Sequence, residues 1–106
     1  MLIIDPSKGK KINFGYSIEG SSDVQGKVIA ELRIELQKGI YLTIEGSTDK
    51  NHANFFVPPL EKFALLKTGK SYESKIYAIL DDIVYEVWKE KIFIDKKVEV
   101  EVKLHG

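Results

Sequence analysis

Cysteine is absent from the 106 residues, and methionine and tryptophan occur once each. Without thiols there is no disulfide framework, no thiolate zinc site and no cysteine nucleophile, and the composition suits a reducing compartment or a particle that passes through one. Histidine is nearly as scarce. His52 and His105 lie far apart in polar surroundings, whereas a zinc site wants three or four ligands at fixed spacing, so no metal is expected. Net charge is missing too: sixteen basic residues balance sixteen acidic ones. A neutral chain lacks the long-range positive field from which non-specific nucleic-acid binding draws most of its affinity, so nucleic acid is not an expected partner. No apolar run approaches the roughly 20 residues that a spanning helix needs. The opening Met1-Leu2-Ile3-Ile4 is cut short by Asp5-Pro6, too brief for the hydrophobic region of an export signal. A soluble protein without signal peptide or membrane segment is expected.

What remains is ordinary globular material, 43% apolar and 30% charged, enough for one domain spanning residues 1–106. Its arrangement is informative. Val28, Ala30, Leu32, Ile34 and Leu36 alternate with Glu31, Arg33 and Glu35, the period-two pattern of a half-buried strand. Gln37-Lys38-Gly39 supplies a turn, and Ile40, Leu42 and Ile44 return as the second arm of a hairpin that Gly46 is expected to stop. Residues 46–52 are polar and rich in turn formers, as an exposed, mobile loop would be. Phe55-Phe56-Val57 predicts a short buried strand ended by Pro58-Pro59, and Leu60, Phe63 and Ala64 predict one helical turn. Tyr72 to Leu80 alternates again, Asp81-Asp82 offers a tight reversal, and Ile83, Tyr85 and Val87 return. Lys89-Glu90-Lys91 marks a break before Ile92-Phe93-Ile94. Looser alternation at 11–19 and clear alternation at 97–104 predict two further strands, with Gly20-Ser21-Ser22 as a flexible link.

About seven or eight strands at spacings of roughly 8 to 12 residues, with one short connecting helix, predict an all-β sandwich or barrel. Leu66, Gly69 and Tyr72, followed by Tyr77-Ala78, resemble the corner motif that precedes the sixth strand of fibronectin type III domains. In that family the tyrosine ring packs inward and its hydroxyl bonds back to the chain just upstream. The resemblance implies an immunoglobulin-like antiparallel β-sandwich. Two departures stand against membership: Thr68 occupies the motif's proline position, and the early buried tryptophan is missing, Trp88 coming late.

Chemistry has few candidates. Asp81-Asp82 is an adjacent carboxylate pair, but aspartate is common in turns for conformational reasons, and calcium needs six or more oxygens. Ser21-Ser22 and Ser47-Thr48 lack the context of an activated nucleophile, and no glycine pattern cradles a phosphate. The expectation is a non-enzyme without cofactor. Binding is the stronger prospect, because aromatic side chains are frequent interface anchors. Tyr41, Tyr77, Tyr85 and Trp88 are the candidates, with Ile29 and Ile79 on outward positions and Trp88 beside Tyr85 at a turn. The edge of a strand such as 97–104 is a second route to a partner.

The opening Met1 to Pro6, the proline-flanked strand, the Leu66-Lys67-Thr68-Gly69 corner and the Asp81-Asp82 hairpin before Val87-Trp88-Lys89 together resemble small structural proteins of large tailed phages, assigned to the virion head or its assembly core. That resemblance implies a virion structural module acting through contacts with capsid or other virion proteins, or with itself. Its place would be the virion or the host cytoplasm. Two alternatives are a phage-encoded inhibitor of a host protein, using residues 46–54, and a carbohydrate-binding sandwich stacking sugars on Trp88 and the tyrosines.

Overall fold

The computed structural model describes residues 1–16, 28–49 and 52–95. Among them are seven strands: β1 (Leu2–Ile4), β2 (Lys10–Gly15), β3 (Ile29–Gln37), β4 (Ile40–Asp49), β5 (His52–Val57), β6 (Ser71–Leu80) and β7 (Ile83–Ile94). The expected helical turn is a 3-10 turn at Leu60–Lys62. The strands join in the order β1-β7-β6-β3-β4-β5-β2, one sheet that curls until it is nearly closed as a barrel. The Lys10 ammonium on β2 donates to the Ile3 carbonyl on β1 at 3.1 Å, bridging the two ends.

Period-two burial builds the interior. Leu32 and Ile34 of β3, Phe55 and Val57 of β5, Ile76 of β6, and Ile92 and Ile94 of β7 are almost fully buried in one core that also takes in Ile4 and Leu60. Each such side chain contributes about 1.5–3 kcal/mol when withdrawn from water. Phe56, between two of them, is exposed and lies against Gly9.

Two hairpin reversals follow from residues that tolerate left-handed backbone. Gly39 sits at φ 83° between β3 and β4, where a β-carbon would be strained. Asp81 and Asp82 have φ of 51° and 64°, and positive φ at both central residues is the two-residue turn whose twist matches the strands it joins. Their turn role is conformational.

Four expectations need correction. The sheet is mixed, not antiparallel throughout, because β1 runs parallel to β7 with Leu2 opposite Ile92 and Ile4 opposite Ile94. Parallel neighbours need a long connection, and here nearly the whole domain serves as one. Residues 46–52 are not simply an exposed loop: Ser47, Thr48 and Asp49 of β4 pair with Asn54, Ala53 and His52 of β5. Gly46 does not stop β4. It marks where the strand passes from β3, which it pairs up to Ala30 opposite Gly46, onto β5. A β-carbon at Gly46 would stand 2.6 Å from the Phe55 ring, so glycine lets the sheet fold tightly over that ring. Finally, β7 does not break at Lys89-Glu90-Lys91, which pair with Lys75, Ser74 and Glu73 of β6. Charged residues continue a strand readily where one face is wet. The strand expected at 97–104, the end of that expected at 11–19, and Gly20-Ser21-Ser22 lie outside the described residues.

Tyr72 is nearly buried, and its hydroxyl closes a corner in the chain just upstream. The Tyr72 hydroxyl donates to the Leu65 carbonyl at 3.0 Å and accepts from the Lys67 amide at 2.7 Å. Gly69, at φ 83°, carries the chain on to β6, and its amide donates to the Ile94 carbonyl at 2.7 Å. The corner therefore ties the segment before β6 to the end of β7. Tyr72→Phe removes both bonds while keeping the ring and is expected to cost about 1–2 kcal/mol, readable as a lower urea midpoint with unchanged slope.

Candidate protein-interaction surface

The outer face of β4, β3, β6 and β7 is organised in cross-strand rows. One row runs Thr43, Arg33, Lys75, Lys89, and the next Glu45, Glu31, Tyr77, Glu86. Like charges opposite one another repel, and the neighbouring acidic row offsets the three cations. Arg33 binds Glu31 at 2.8 Å and lies over the Tyr77 ring, 4.6 Å from its centroid. Lys75 binds Glu86 at 3.1 Å. The hydrogen bond and charge of Glu86 raise the Lys75 pKa above its ordinary value. The stability linked to the Lys75 proton is in place at neutral pH and fades as alkaline pH passes the raised value. Both side chains are well exposed, so solvent screens the pair strongly.

Tyr41 is exposed on this face. With Tyr77, Arg33, Glu35, Glu73 and Lys75 it lines a shallow depression of about 40 Å³. Two of the four candidate aromatics are thus brought together. Tyr85 is not with them: it pairs with Ala78 on β6 while its neighbour Glu86 pairs with Tyr77, so it faces the other side of the hairpin. Trp88 stands mid-strand, not at a turn, opposite the buried Ile76 and packed partly against the core.

The third row on the outer face is apolar: Ile29, Ile79, Val84. It belongs to a larger feature. β6 and β7 span ten and twelve residues, whereas β2 and β5 span six each, and the long hairpin carries unburied apolar side chains on both faces near its turn. Ile83 is 55% exposed, Val84 51%, Tyr85 49% and Val87 39%. Scattered apolar residues are normal on a surface, but four within five positions of one strand form a patch of the kind that marks an interface. Ile83, Val84 and Val87 were not among the sequence candidates. Their signal was there: consecutive apolar residues from 83 to 85 break the alternation that a half-buried strand requires.

His52 is exposed on β5, and Ser47-Thr48 are strand residues. Among the described residues no three histidine, aspartate or glutamate side chains gather as a metal site would require, and no helix is long and apolar enough to cross a membrane.

No known protein family matches the chain, and no curated protein does. Among solved structures it is similar to an uncharacterized protein from Bacillus anthracis str. Ames, known from a crystal structure at 1.4 Å resolution. The two share 13% identity with a TM-score of 0.42, over 87% of this chain and 76% of that one.

Proposed function

We propose that this chain is a non-enzymatic structural or interaction module on an immunoglobulin-like sandwich, packed into or onto a larger assembly through the exposed end of the β6–β7 hairpin. The observation that carries this reading is the run of unburied apolar residues at Ile83, Val84, Tyr85 and Val87. The sandwich assignment draws support from strand neighbours. In immunoglobulin folds strands B, E and D share one sheet and C, F and G the other. Here β2, β5 and the end of β4 adjoin one another, as do β3, β6 and β7. The Tyr72 bonds at the start of β6 correspond to the corner at the start of strand F. β1 departs from the seven-strand pattern by pairing with β7.

A virion head is the assembly suggested by the phage resemblance of the sequence. The test is affinity capture from infected cells or purified particles, with mass spectrometry of what is retained. Capsid proteins are expected with the wild-type chain, and Ile83→Asp or Tyr85→Asp is expected to weaken capture by about 30-fold or more, since a central interface residue is commonly worth about 2 kcal/mol. Tyr41→Ala should leave it intact. Recovery of a soluble host enzyme alone would sink the virion assignment, and equal capture by all variants would move the contact elsewhere.

A further inference from the structure

Among the described residues, a strand covers the outer backbone edge of β7 over only three positions. β1 pairs with Ile92, Phe93 and Ile94, the Met1 ammonium before it bonds the Glu90 carboxylate, and among the described residues no strand pairs with that edge between Ile83 and Lys89. Exposed edges carry rows of open amide and carbonyl groups, and proteins commonly keep them short or charged. The free edge of β2 follows that rule, with six residues and outward Lys11 and Asn13. The edge of β7 from Ile83 to Lys89, unpaired among the described residues, is longer and begins with apolar side chains.

We infer that this edge pairs with the same edge of a second copy of the chain about a two-fold axis, in the register that sets Glu86 against Lys89 of the other copy. This rests on the reading that the exposed half of the hairpin is a contact surface, and it names the partner. A strand related to its mate by a two-fold axis perpendicular to the sheet is antiparallel to it, so the contact closes as a self-complementary dimer. Opposed residues in an antiparallel pair share a face, which restricts the register. Glu86 and Lys89 are three positions apart and in a regular strand would point to opposite faces. The bulge at Val87 changes that: Trp88 is opposite Ile76 while Glu86 is opposite Tyr77, leaving one extra residue on β7. As a result Lys89 stands opposite Lys75, the same lysine whose ammonium meets Glu86 at 3.1 Å. Both charges therefore lie on the outer face.

Charge selects the occupant. Lys89 has no ion-pair partner among the described residues, and its direct neighbour Lys75 is of like sign. In the proposed register a second copy brings Glu86 beside Lys89 twice, once on each side of the axis. Val87 meets Trp88 at the centre. Other edges lack this self-complementarity: β1 offers three residues and the outward positions of β2 are not of opposite sign.

The test uses the full chain and charge reversal. Sedimentation equilibrium from micromolar to submillimolar concentration is expected to show a monomer–dimer equilibrium. Glu86→Lys places lysine against lysine twice, and Lys89→Glu places glutamate against glutamate twice. Each variant alone should dimerise at least tenfold more weakly, and an equimolar mixture should recover heterodimer with near wild-type affinity. Because the chain has no cysteine, a mixture of Glu86→Cys and Lys89→Cys chains gives a clean second readout, with disulfide dimers expected in the mixture and far fewer from either variant alone. Circular dichroism confirms that each variant folds. Monomers at every concentration overturn the inference, as does dimerisation indifferent to the reversals or recovery absent on mixing. If the chain is monomeric yet Tyr85→Asp still loses the captured assembly, only the self-pairing fails. If the charge pattern holds and nothing else is captured, the self-pairing stands and the larger assembly does not.

Discussion

Phe55→Ala is expected to destabilise the protein by about 3–5 kcal/mol, the cost of emptying a packed aromatic site. Among the described residues Phe55 is the largest fully buried side chain, and its ring lies beneath the point where β4 turns from β3 onto β5. Domains of this size have total stabilities of about 5–15 kcal/mol, and near 100 residues each kcal/mol moves Tm by about 4–8 °C. A thermal melt should therefore fall by about 15–30 °C or lose its cooperative transition. A drop of only a few degrees would mean that the ring is not the centre of the interior.

Gly46→Ala is expected to lose about 1–3 kcal/mol by the opposite mechanism, overfilling instead of emptying. The new β-carbon would stand 2.6 Å from Phe55 Cε1, and the ring is only 1% exposed, so it has no open side to retreat to. The two residues share one space, and their substitutions should not add. In Gly46→Ala/Phe55→Leu the smaller side chain leaves room for the methyl group, so the double variant should be more stable than the sum of its single losses. Urea unfolding of the four chains measures this. Strict additivity would show that the clash is relieved elsewhere in the sheet.

These two positions also show what was legible in the sequence and what was not. Strands β3 and β6 announced themselves, because strict alternation from Val28 to Leu36 and from Tyr72 to Ile76 has only one period that buries one face. The reversal at Asp81-Asp82 and the corner at Tyr72 were legible for a related reason: each is a local geometry that few residues satisfy. Gly46 was misread because glycine carries the same mark whether it ends a strand or lets a bulky ring approach the backbone. β1 escaped notice, since three apolar residues have no period and their partner lies some ninety positions away. The surface candidates divided along the same line. Tyr41 and Tyr77 share a face, as alternation implied. Trp88 does not stand at the turn the sequence suggests, because β7 runs on past it and the bulge at Val87 shifts every later residue relative to β6, while Tyr85, before the bulge, lies on the opposite face from Tyr77.

The parallel seam between Leu2–Ile4 and Ile92–Ile94 has a consequence for how the chain acquires its structure. During synthesis β1, made before the other six described strands, must wait for β7 before its amides find their mates, so no order of vectorial folding completes that edge early. Pairings this distant in sequence carry a large loop-closure cost and form slowly. Until β7 arrives, Ile4 lacks its strand neighbour Ile94, and that part of the core stays open to water.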